Sequence, residues 1–218
     1  MKGRWTAFGR YRARKTLSPY LRLPHVSKKS MNPQASALLA DPHPAGHIVY
    51  SYRDKNLVYQ AVSLYASAGL RNGEAVILIM RRANYEAITG RLWQEGFDVQ
   101  ALQRTGRLTC LIAEEVLSRF MVDGVPNGTK FNAIIAEMIH RAGGSFPKDR
   151  ALPPIRAFGE MVCLLWVTNL AAAAALENMW NAAIKTYGLS LLCSYQVAGS
   201  APITLPPELL ACHAHNLG

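Results

Sequence analysis

No stretch of eighteen or more apolar residues free of charge occurs in the 218-residue chain. The sequence therefore predicts no membrane-spanning helix, and the expectation is a soluble, cytoplasmic protein. The densest apolar region, residues 161–175, is broken by Thr168 and Asn169 and runs into Glu177. No CxxC pair is present: Cys110, Cys163, Cys193 and Cys212 are widely spaced, and three of them sit in apolar surroundings. Buried thiols in a reducing compartment are the reading. The one dense Cys/His cluster is Cys212, His213 and His215, with no second cluster to complete a tetrahedral set, so no metal site and no cofactor are expected. Neither GxSxG nor HExxH occurs, so no catalytic residue is assigned and the chain reads as a non-enzyme.

Glycine is missing from the first strand-to-helix turn, YSYRDKN. A phosphate loop needs glycines there so that successive backbone N–H groups can face the phosphates. Asp54 at that point caps the helix and repels a phosphate. The same lack disfavours a dinucleotide fingerprint or an adenosylmethionine loop. GVPNGTK, residues 124–130, resembles a Walker motif only in composition; its Gly-Thr-Lys order is wrong, and it reads as a turn.

Acids are missing from the first thirty residues, which hold nine of the ten net positive charges. The remainder is nearly neutral, and any affinity for nucleic acid belongs to this segment. Residues 1–46 lack an apolar period and carry Pro19, Pro24, Pro33, Pro42 and Pro44. The expectation is a disordered or loosely attached basic arm. Residues 1–30 read either as such an arm, as a targeting peptide, or as an extension upstream of a start at Met31.

What is present is an alternation of strands and helices. HIVYSY (47–52) is a strand, and Asp54 is placed to cap the helix that follows, which Gly69 is read to end. AVILIM (75–80) is apolar on both faces, as a central parallel strand is. A helix marked by Tyr85, Ile88, Leu92 and Trp93 follows, then a strand at 108–112 and a short helix with Val116, Leu117, Phe120 and Met121 inward. After the turn-rich DGVPNGT come a helix through Phe131 to Ile139, a strand at IRAFGE and a helix with Leu176, Met179, Trp180, Ala183, Ile184 and Tyr187 on one stripe. LSLLCSY (189–195) is the fifth strand, and residues 199–218 read as a tail with a short helix. The predicted fold is α/β, three-layered, with a mostly parallel sheet of five or more strands covered by helices on both faces.

Ligand groups in such sheets collect at the carboxyl ends of strands. The candidates there are Tyr50, Tyr52 and Arg53, then Arg81, then Glu160 and Met161, then Cys193 and Tyr195. Aromatics, a soft sulfur and one acid suit the wall of a mostly apolar pocket. Glu160 reads either as a structural acid, capping the next helix or paired with Arg156, or as a ligand-facing group. If paired in the cleft, its partner is expected to be Arg53 or Arg81.

From residue 47 onward the chain resembles the MEDS family, the sensory domain of methanogens, methylotrophs and the dichloromethane-responsive regulator. The resemblance lies in HIVYSYRDKN, GLRNGEAVILI, FMVDGVPNGTKF, RAFGEMVCLLW, LENMWN, LSLLCSY and the closing CHAH. It implies a domain over 47–198 with a RecA/KaiC-like core that has lost its phosphate loop. It also implies a signal-input domain that binds a small, hydrocarbon-type ligand and acts in signal transduction or transcriptional regulation through a partner such as a histidine kinase or regulator, with homo-oligomerisation open. Two other readings compete: a RecA/KaiC-like nucleotide-binding regulator or ATPase with a non-standard phosphate site, and a nucleic-acid-associated protein acting through the basic arm.

Overall fold

The computed structural model describes residues 31–143, 153–199 and 204–217. The chain opens with α1 (Pro33–Ala40) and β1 (His47–Tyr52). Asp54 then caps α2 (Lys55–Arg71), its carboxylate accepting the Asn56 N–H at 2.9 Å. Next come β2 (Ala75–Met80), α3 (Arg82–Gln94), α4 (Val99–Arg104), β3 (Leu108–Ile112) and α5 (Ala113–Ser118). The DGVPNGT segment is a hairpin, β4 (Met121–Val122) and β5 (Val125–Pro126). Its two central residues, Asp123 and Gly124, both have positive φ, as a two-residue hairpin turn requires. Asn127 then accepts the Lys130 N–H at the start of α6 (Gly128–Gly143). The chain continues through β6 (Ile155–Gly159), α7 (Met161–Leu165), α8 (Leu170–Tyr187), β7 (Ser190–Gln196), α9 (Pro207–Leu210) and β8 (His215–Leu217).

The six long-sheet strands run parallel in the order β3-β2-β6-β7-β1-β8. Helices cover both faces. One core lies between the sheet and α1 to α4, around Tyr65, Leu78 and Phe158. The other lies between the sheet and α5 to α9, around Phe131, Leu176 and Trp180. Every residue of β1, β2 and β6 is buried, which is why β2 reads as an unbroken apolar run and β1 and β6 as mostly apolar. The three-layer α/β architecture is as the sequence predicts. Among the described residues, no helix is long and apolar enough to cross a membrane.

Several details differ from the sequence reading, among them that Met121, read as inward on the short helix, lies in β4. Residues 33–40, expected within an arm lacking regular structure, form α1 and bury Ala35 and Leu39; the basic segment 1–30 lies outside the described residues. The tail contributes a sixth strand, β8, paired with β1. Trp93, one of the four apolar residues that mark α3 in the sequence, is 72% exposed. Gly69 does not end α2 but sits inside it, where an added Cβ would stand 2.7 Å from Arg156 Cδ. That close approach lets the buried Arg156 pair with Glu74 and donate to the carbonyls of Leu39, Ala40 and Tyr65. One guanidinium thus ties α1, α2 and the α2–β2 turn to β6.

Candidate functional site at the carboxyl edge of the sheet

Parallel pairing brings the carboxyl ends of β1, β2, β6 and β7 to one edge of the sheet. Glu160, the residue after β6, is fully buried there. Its Oε2 accepts the backbone N–H of Arg81 at 2.8 Å. Its Oε1 accepts from Asn84 Nδ2 at 2.8 Å and from the Tyr52 hydroxyl at 3.4 Å. Asn84 in turn accepts from the Tyr59 hydroxyl at 3.0 Å. Burial pushes the Glu160 carboxyl above its ordinary value; the donors and the Arg81 charge offset only part of that. Burial and then the Glu160 charge likewise raise the Tyr52 phenol, so it stays a neutral donor.

Glu160 occupies the cap position of α7 without making a side-chain cap, and Arg156 pairs elsewhere. Of the two expected partners, Arg81 is the one that meets Glu160, through its backbone. Its guanidinium reaches Gln196 Oε1 at 3.0 Å instead.

Beside this network lies a cleft of ≈ 540 Å³ between α1, the end of β1, the start of α2 and β8. Ala35, Leu38, Tyr50, Tyr52, Leu57 and Leu217 supply much of its wall, and Arg53, Asp54 and Asn216 add polar groups. Its size and mixed lining fit a small-molecule site. Tyr52 belongs to both features: it is one of the residues of the cleft wall, and its buried side chain reaches Glu160 through the hydroxyl.

The remaining candidates divide between the two faces of the sheet. Tyr50 and Tyr52 pack with the α2 layer, whereas Met161, Cys193 and Tyr195 pack with the α8 layer. The eight residues therefore do not line one pocket.

Cys193 belongs to a second polar cluster, with His47 at the start of β1, Glu177 on α8 and His213 after α9. His47 Nε2 lies 3.3 Å from Cys193 Sγ and 3.4 Å from Glu177 Oε2. Cys193 Sγ lies 3.6 Å from Glu177 Oε2, and His213 Nε2 lies 3.3 Å from Glu177 Oε1. The Tyr195 hydroxyl donates to Glu177 Oε1. Burial opposes ionisation of Glu177, but the two histidines beside it, His213 and His47, outweigh it and hold the pKa at about 2. Burial, then the Glu177 charge, pushes the Cys193 thiol well above its usual range.

Sequence reading did not anticipate this group, because its members come from four separate segments. One signal was available: Glu177 falls on the same helical stripe as Ala173, Leu176, Trp180 and Ile184, all buried, and a carboxylate on a core-facing stripe calls for a partner.

The family model for the methanogen/methylotroph, DcmR sensory domain matches residues 46–213. Comparison with curated proteins gives no match.

Proposed function

The chain belongs to the MEDS family of sensory domains, and we propose that it is a non-enzymatic signal-input domain whose cleft beside Tyr52 takes a small, largely apolar molecule. The observation that carries this reading is the double role of Tyr52, cleft wall on one side and donor to buried Glu160 on the other. A ligand seated in the cleft against the Tyr52 segment of β1 shifts the hydroxyl relative to Glu160. Glu160 is bonded to the start of the β2–α3 connection through Arg81 N and to α3 through Asn84. Arg81 is bonded to the end of β7 through Gln196. A displacement at the cleft is thereby passed to three elements of the carboxyl edge. An apolar molecule suits the cleft because aliphatic and aromatic side chains make most of its wall.

Nucleotide binding has less support. Asp54 takes up the donor at the N-terminus of α2 where a phosphate would dock. The parallel sheet and the glycine-free turn after β1 agree with descent from a RecA/KaiC-like core that lost its phosphate loop. Output passes to a partner such as a histidine kinase or a transcriptional regulator in the cytoplasm, and any nucleic-acid contact belongs to residues 1–30.

The test is a thermal-shift panel of short alkanes, halocarbons and alcohols against the wild type and Leu57→Trp, which fills the cleft. A binder at a hundredfold over its Kd stabilises by about 2.7 kcal/mol, which raises Tm by roughly 5–11 °C for a domain of this size. The shift should vanish in Leu57→Trp. Equal shifts in both proteins, or none from any compound, would contradict the reading.

A further inference from the structure

The geometry points to a second site on the opposite face of the sheet: His47, Glu177, Cys193 and His213 together bind one divalent metal ion of the zinc class, independently of the cleft.

The distances come first. The four ligand atoms lie within 4.8 Å of one another, and the four separations given above span 3.3 to 3.6 Å. A tetrahedral zinc ion with bonds of about 2.0–2.3 Å sets its ligand atoms roughly 3.3–3.8 Å apart. His47 Nε2, Cys193 Sγ and Glu177 Oε2 have that spacing, and His213 Nε2 stands at the same distance from the other carboxylate oxygen; two imidazoles, a carboxylate and a cysteine sulfur that binds as thiolate are a donor set zinc accepts.

The outer partners fix which nitrogens face inward. His213 Nδ1 lies 2.7 Å from the Leu209 carbonyl oxygen, which can only accept, so Nδ1 carries the proton. His47 Nδ1 lies 2.9 Å from Asn181 Oδ1. The orientation of that amide is set in turn, because Asn181 Nδ2 donates to the Cys212 carbonyl at 3.1 Å. With Nδ1 held by an oxygen acceptor, each ring turns its Nε2 toward the cluster, the nitrogen a metal-binding histidine uses in that arrangement.

Among the described residues, no lysine or arginine is paired with Glu177. The two Nε2 atoms face the Glu177 carboxylate, and Tyr195 supplies the hydroxyl donor. The His213 side chain is 1% exposed, and its Nε2 has no hydrogen-bond partner, being off the bonding direction of Glu177 Oε1. Protons in place of a metal would put two imidazolium rings 4.1 Å apart, centre to centre, against one carboxylate. One divalent cation satisfies all four groups at once.

Four protein ligands close the coordination sphere, which marks a structural ion. Three ligands come from β1, β7 and α8, and His213 comes from the segment between α9 and β8. The ion fastens that segment to the domain, and β8 with it, whose Asn216 and Leu217 line the cleft.

The experiment uses the full chain. Metal content is measured by mass spectrometry after purification without chelator, and Co²⁺ is added to chelator-treated protein as a spectroscopic probe. The expected results are one metal ion per chain, and tetrahedral Co²⁺ bands with a sulfur-to-metal charge-transfer band. Cys193→Ser should lose the charge-transfer band, His213→Ala should lower metal content at least tenfold, and Cys212→Ser should change neither. Co²⁺ spectroscopy on the unaltered chain keeps the test decisive if a variant fails to fold. Octahedral Co²⁺ without a sulfur band, sub-stoichiometric metal with no Tm response to Zn²⁺, or loss of the sulfur band in Cys212→Ser instead of Cys193→Ser would each overturn the proposal.

Discussion

The Tyr52 hydroxyl stands 3.4 Å from Oε1 of Glu160, while Tyr52 is also one of the residues of the cleft wall. Tyr52→Phe keeps the ring and removes the donor. The bond is long, so its loss should cost about 1 kcal/mol, read as a lower urea midpoint with an unchanged m-value. Ligand affinity should stay within a fewfold of wild type, because the apolar wall is intact. A loss of binding as complete as in Leu57→Trp would show that the hydroxyl contacts the ligand and not Glu160.

Glu160 makes stability depend on pH in a direction set by its raised pKa. In the unfolded chain a glutamate titrates near 4.3. Between that value and the raised folded value the native state binds more protons than the unfolded state, so stability falls as pH rises. The contribution is fully present below about pH 4.3 and is lost as pH passes the folded value. Glu160→Gln cannot titrate. The stability difference, wild type minus variant, should therefore decline as pH is raised above about 4.3. A difference that grows with pH would show that the donors from Arg81, Asn84 and Tyr52 outweigh burial.

Gly69→Ala tests the Arg156 clamp. Alanine is the better helix former by about 1 kcal/mol, yet the new Cβ would meet Arg156 Cδ at 2.7 Å and Nε at 2.9 Å. Moving Arg156 disturbs its pairing with Glu74 and its bonds to α1 and α2. The net expectation is a loss of about 1–3 kcal/mol, or roughly 2–12 °C in Tm. A gain in Tm would mean that the arginine relocates without cost.

ATP with Mg²⁺ should give no calorimetric binding at micromolar concentration. The β1–α2 turn has no glycine, and Asp54 Oδ1 already accepts the Asn56 N–H at 2.9 Å. Micromolar affinity would restore the nucleotide-binding reading.

The four interior strands were legible because burial on both faces makes them mostly apolar, β2 without a break, and the Asp54 cap was legible from its position before a helical period. β8 was not: three residues after a proline-rich stretch show no alternation, and the strand exists because β1 offers it an edge. Glu160 was legible as the lone acid at a strand end, and Arg81 as its neighbour, though not that the contact runs through the backbone. The division of the candidates between faces needed strand order. Cys193 pairs in register with Val49, one residue out of phase with Tyr50 and Tyr52, so it faces the other layer. The His47–Glu177–Cys193–His213 cluster is invisible to spacing, since the sheet and α8 assemble it from distant positions.

The central claim is that the cleft beside Tyr52 is the ligand site, and methyl NMR tests it most directly. Protein carrying labelled Ala, Leu and Met methyls is titrated with the best compound from the thermal panel. Shifts should concentrate on Ala35, Leu38, Leu57 and Leu217, with saturable curves sharing one Kd, while Leu176 and Ala183 in the opposite layer stay still. Saturable shifts centred on the α8 layer, with the cleft methyls unmoved, would contradict the account.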